Sequence, residues 1–87
     1  MKIPNRKNTL AFNKLQNDTI IIDFSAEKQF HQVNEVGSLI LELCDGHHTL
    51  EKIAEIIHDQ YDISLSDALK DVNHFISQLE QNDLLSN

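Results

Sequence analysis

Residues 29–85 read QFHQVNEVGSLILELCDGHHTLEKIAEIIHDQYDISLSDALKDVNHFISQLEQNDLL, and this stretch decides the fold. It opens on Gln29-Phe30-His31-Gln32-Val33, a short strand-like piece that runs into Asn34. Asn34 is a good helix N-cap, and Glu35 suits the first turn beside the positive end of the helix dipole. Val36, Leu39, Ile40 and Leu43 then recur at i, i+3, i+4 and i+7, the spacing of one helix face. Asp45-Gly46 ends that helix, with Gly46 free to take a left-handed conformation. Thr49 caps a second helix whose apolar face is Leu50, Ile53, Ala54 and Ile57. Tyr61-Asp62-Ile63 leads to Ser64 or Ser66, either of which can cap a third helix carrying Leu65, Ala68, Leu69, Val72, Phe75, Ile76 and Leu79. At about 100° per residue that last stripe is about 120° wide, enough to pack on two neighbours and leave the Phe75 flank beside a groove.

Working back from Gln29, Ser25-Ala26-Glu27-Lys28 suits a hairpin loop. Thr19-Ile20-Ile21-Ile22-Asp23-Phe24 is β-branched and aromatic, and therefore a strand. Gln16-Asn17-Asp18 is turn chemistry, and Thr9-Leu10-Ala11-Phe12 is a first short strand. The expectation is an α+β fold: a three-stranded antiparallel β-meander followed by three helices, in a winged-helix-like order. Residues 1–8 are expected as a flexible N-terminal tail and residues 9–87 as a single domain.

The charge of −7 is uneven: residues 1–17 carry +4 and the rest −11. An acidic body is a poor partner for phosphates, because affinity for nucleic acid rests on Lys and Arg displacing counterions. The same order of elements would serve a winged-helix DNA-binding regulator. The third helix, however, sets Asp67, Asp71, Glu80 and Asp83 against a single Lys70 and has no arginine. The basic N-terminal residues suit either a solvated tail or an acidic partner. One cysteine, Cys44, cannot make an internal disulfide, and a reducing, cytoplasmic setting is expected. No apolar run approaches the roughly 20 residues of a membrane span. No apolar stretch follows the basic N-terminal residues, so no signal peptide is expected.

Catalytic patterns are weak. His47 and His48 are adjacent and diverge on regular structure, while His58 and His74 lie on different helices. The i, i+4 pair of a helical zinc site is missing, so no metal and no cofactor is expected. Cys44 lies near the core face of the first helix with Glu42 and Asp45 beside it, a setting that raises a thiol's pKa. Glycine occurs only at Gly37 and Gly46, which leaves no phosphate loop. Asp67/Asp71 and Glu51/Glu55 are like-charge pairs at i, i+4, and such pairs are commonly solvated faces. What remains is a surface for protein: an edge strand at Gln29–Val33 beside the third helix, open to an extended peptide adding as a fourth strand.

The order of these pieces resembles a known family, the PqqD-like proteins, stand-alone recognition elements for ribosomally made, post-translationally modified peptides (RiPPs). The resemblance lies in Phe30-His31-Gln32-Val33-Asn34, then Ile40 and Leu43-Cys44-Asp45-Gly46, Thr49, Ile53-Ala54, and Tyr61-Asp62-Ile63. It continues through Asp71-Val72, Phe75-Ile76, Leu79 and Leu84-Leu85, so it covers roughly residues 18–85. It implies a non-catalytic protein that binds the leader of a precursor peptide as a strand and presents it to a separate enzyme. The implied peptide-binding residues are Gln29, Phe30, His31, Gln32 and Val33 on the strand, with Asp67, Ala68, Asp71, Phe75 and Gln78 on the third helix. Members in the PQQ pathway, which act as peptide chaperones, carry a longer loop before the third strand. The short Ser25–Lys28 loop looks more like lasso-peptide pathways, whose implied partners are a leader peptidase and a hydrophobic, Tyr/Pro/Leu-bearing leader. Where the family has a glycine near the C-terminus this chain has Asp83, and Asn82 or Asp83 can take the left-handed cap.

Overall fold

The β-branched run in the second strand sets the sheet. In the computed structural model, which describes residues 3–24 and 29–86, β2 (Asp18–Asp23) is the central strand. It pairs antiparallel with β1 (Leu10–Leu15) on one side and β3 (Gln29–Val33) on the other. Thr19, Ile21 and Asp23 are buried along β2 while Ile20 and Ile22 are half-buried, the period-2 alternation of a sheet with one covered face. The expected Ser25–Lys28 loop lies outside the described residues. Strand β1 runs three residues further than Thr9–Phe12, because Asn13, Lys14 and Leu15 pair with Ile20, Thr19 and Asp18. Pairing along the whole of β2 overrides the weak strand preference of Asn and Lys. The hairpin closes through Gln16, which takes the positive φ of 55°.

Three helices follow, each started by the cap that its sequence provides. In α1 (Glu35–Leu43) Asn34 Oδ1 accepts the Gly37 N–H at 2.9 Å. In α2 (Leu50–Tyr61) Thr49 Oγ1 accepts the Lys52 N–H at 3.1 Å, and in α3 (Leu65–Gln81) Ser64, not Ser66, accepts the Asp67 N–H at 3.1 Å. Each cap satisfies one of the N–H groups that a helix start leaves orphaned. Asp62 ends α2 in the left-handed region, and Asp83 takes φ 58° just past α3. Gly46 is left-handed at φ 82° as expected, but the helix has already ended at Cys44, and its N–H donates to the Pro4 carbonyl at 3.0 Å.

That contact corrects the expected N-terminal tail. Pro4 is buried, Asn5 bridges Asp45, and Arg6 bridges Leu85. The Arg6 N–H donates to the Cys44 carbonyl and the Lys7 N–H to the Leu84 carbonyl, while the Asn5 carbonyl accepts the Ser86 N–H at 2.8 Å. The physical reason lies at the C-terminus of α1, whose last turn has no basic residue of its own. The Arg6 guanidinium donates to the Leu41 and Glu42 carbonyls at 2.7 and 2.8 Å, supplying the cation that the negative end of the helix favours. Residues 4–7 thus tie the α1–α2 connection to the C-terminal segment.

The core is one cluster of Ile21 from β2, Ile40, Leu41 and Cys44 from the α1 end, Ile53, Ala54 and Ile57 from α2, Ala68, Val72, Ile76 and Leu79 from α3, and Leu84 and Leu85 beyond it. Between α1 and β2 the Ser38 hydroxyl donates to the Thr19 hydroxyl at 2.7 Å, so two buried polar groups satisfy each other.

Candidate functional site

The sheet order β1-β2-β3 leaves one side of β3 without a strand neighbour among the described residues. No Cα of β3 comes within 8 Å of a Cα of α3, so strand and helix stand apart and bound a groove. Both are anchored to α1, which packs on each of them. The chain runs from Val33 through the Asn34 cap straight into α1, and this short join fixes the angle between the edge strand and the helices.

Two recesses lie along the groove. One, of about 260 Å³, is walled by His31, Gln32 and Val33 of β3 and by Phe75, Gln78 and Leu79 of α3, with Ile21 and Leu84 among its lining residues. The other, of about 310 Å³, lies between Asn34, Val36, Gly37 and Ile40 at the start of α1 and Asp71, His74, Phe75 and Gln78 of α3. Phe75 and Gln78 border both, so the half-buried Phe75 ring divides the groove.

The residues expected at the site separate by strand parity and by side-chain reach. His31 pairs with buried Ile21 and therefore faces the helices, as does Val33, the partner of buried Thr19. Phe30 pairs with Ile22 on the opposite face, where it is 66% exposed, and Gln32 pairs with Ile20 and donates to Asp18 Oδ2. Phe30 thus flanks the edge rather than the groove. Gln29 pairs with Asp23 at the start of the strand. On α3, Asp71, Phe75 and Gln78 line the recesses, while Asp67 is exposed and lines neither. Ala68 is fully buried in the core. Gly37, Val36, His74 and Leu84 join the site beyond those expected. The signal for Gly37 was a glycine in the first turn of a helix, where its poor propensity calls for a reason.

His31 Nε2 is buried and has no hydrogen-bond partner among the described residues. An orphaned buried polar atom beside an open groove marks a place where a bound group can supply the missing bond. Elsewhere the polar chemistry is internal. Asp45 Oδ1 lies 2.9 Å from His48 Nδ1 and accepts the His47 N–H, contacts that hold its carboxyl below the usual aspartate range. The paired histidines therefore organise the α1–α2 connection. Burial pushes the Cys44 thiol up to about 12, against the opposing pull of Arg6, so it stays protonated at neutral pH. No group of three or more His, Cys, Asp or Glu side chains that could hold a metal ion occurs among the described residues. Nor is any helix among the described residues long and apolar enough to cross a membrane. A smaller recess of about 120 Å³ opens beside β1, where Arg6 sits 5.6 Å from the centre of the Phe12 ring.

A family model described as coenzyme PQQ synthesis protein D (PqqD) matches residues 18–85, from the start of β2 to the end of the C-terminal segment. No curated protein matches the chain in sequence. Two solved structures share the architecture. One is TbiB1 in complex with the TbiA(beta) leader peptide, at TM-score 0.83 and 17% identity, covering 95% of this chain and 95% of that one. The other is a lasso peptide synthetase B1 complexed with the leader peptide, at TM-score 0.84 and 15% identity, covering 99% of this chain and 100% of that one. At these identities the likeness is one of fold.

Proposed function

This chain belongs to the PqqD family, and from that premise we propose that it binds the leader segment of a ribosomally made precursor peptide and presents it to a processing enzyme. The observation that carries the reading is the unpaired edge of β3 facing a divided groove under α3. An added strand there gains main-chain hydrogen bonds, and its inward side chains meet Val33, Phe75, Leu79 and Leu84. The alternation of a strand supports two classes of contact, one set of peptide side chains entering the recesses and the other left outward for a partner. The solved neighbours support the ligand class, since both hold leader peptides. The second also supports the lasso-peptide branch, and in that reading the partner is a leader peptidase. The protein's own part is binding and presentation; bond cleavage belongs to the partner. An acidic α3 with Asp67, Asp71 and Glu80 favours this reading over DNA binding.

Isothermal calorimetry with the leader of the cognate precursor tests it. Binding in the micromolar range or tighter is expected, with a negative heat-capacity change from apolar burial. No heat of binding with the folded protein would remove the proposal.

A further inference from the structure

Gly37 occupies the third position of α1, where glycine is the poorest helix former short of proline. Its backbone does not need glycine, because it is not in the left-handed region. Its surroundings do. A Cβ on Gly37 would lie 2.8 Å from Phe75 Cε1, 3.2 Å from Phe75 Cζ and 3.2 Å from Val33 Cβ. Val33 belongs to the strand wall of the groove and Phe75 to the helix wall, and the bare backbone of Gly37 sits where the two meet.

We propose that Gly37 is a positioning residue: lacking a side chain, it lets the Phe75 ring lie back against α1 and Val33, and this keeps open the recesses on both sides of the ring. An added methyl cannot displace Val33 Cβ, which is fixed to the paired strand, so the half-buried ring moves instead. The ring lines both recesses, so its displacement from α1 and Val33 narrows them. The inference rests on the proposed peptide site for its functional consequence, but the ring's position is a property of the free protein.

The test is a double-mutant cycle with Gly37→Ala, Phe75→Leu and the pair, read by two measurements. NMR of the free proteins reports the ring. The wild type is expected to show Gly37 Hα and Val33 methyl signals displaced by the Phe75 ring current, and Gly37→Ala to lose the Val33 displacement while keeping the fold. Affinity is measured with a peptide selected by phage display against the wild-type chain and shown by NMR to shift the β3 amides. Gly37→Ala is expected to weaken it by roughly tenfold or more, the scale of overpacking a filled site. In the Phe75→Leu background the same glycine change should have little effect. Melting temperature separates a merely structural role: the overlap lowers stability, offset in part by alanine's better helix propensity, and a merely structural effect would lower the melting temperature while leaving the affinity of the folded protein unchanged. If Gly37→Ala fails to fold but the double variant folds, the ring clash is upheld. Unchanged Val33 shifts, unchanged affinity, a loss that persists in the Phe75→Leu background, or failure of both Gly37→Ala proteins to fold would overturn the proposal. If no peptide binds the wild type, the proposed function falls, while the ring-current shifts still decide the role of Gly37.

Discussion

Ile53→Ala is expected to lower the unfolding free energy by about 3 kcal/mol, within the range for deleting a fully buried branched side chain. Ile53 is fully buried and lies in the same cluster as Ile57, Val72 and Ile76, so the cavity left by the truncation cannot fill with water at low cost. A domain of this length holds roughly 4 to 13 kcal/mol in total, so the loss takes a large share of it. The melting temperature should fall by about 15 °C, at about 4–8 °C for each kcal/mol. The change should stay out of the binding site, because no residue of α2 lines either recess of the groove. At a temperature where the variant is still folded, its affinity for the leader should match the wild type within about twofold, the scatter of independent, distant sites. Chemical denaturation and calorimetry on the same sample check both halves. A fall in affinity in step with stability would mean that the groove depends on the α2–α3 contact more than its lining suggests.

Proline in β3 should produce the largest loss of binding. In an antiparallel pair, successive residues turn their N–H and C=O groups alternately toward the partner strand and away from it. Gln32 and Val33 are adjacent, so one points its N–H at β2 and the other at the open edge. Gln32→Pro and Val33→Pro should therefore diverge. One removes a ladder bond to β2 and lowers stability. The other leaves the fold intact but removes an outward donor and places a ring where an added strand must lie. The stable member of the pair should bind the leader at least roughly tenfold more weakly, since a lost backbone hydrogen bond and a steric block act together. A stable proline variant that binds like the wild type would argue against strand addition at this edge.

Much of this was legible because the governing interactions are local. Asn34, Thr49 and Ser64 cap their helices through contacts three residues away, and such contacts are written in the sequence. The strand Gln29–Val33 and the face of α3 follow from periodicity. The α+β order followed from these elements, and the family from the resemblance carried by particular residues along them. What was hidden depends on distance in sequence or on length of side chain. Pro4–Lys7 looked like a tail because its partners, Cys44, Gly46, Leu84 and Ser86, are far along the chain. Ala68 lies only about 20° from Phe75 on the helical wheel, yet its methyl ends in the core while the longer ring reaches the groove. Phe30 carried the strongest aromatic signal of the strand, but the pairing of Ile21 with His31 puts it on the other face. Gly37 entered the sequence reading only as one of two glycines, and the positions of Phe75 and Val33 explain it.

Amide hydrogen exchange across β3, with and without the leader peptide, tests the central claim most directly. If the peptide adds as a strand, the outward-facing amides within Gln29–Val33, alternate residues of the strand, gain strong protection, while the exchange of α2 amides is unchanged apart from the global stabilisation that binding brings. Peptide binding with no added protection on β3 would contradict the account and place the ligand elsewhere on the domain.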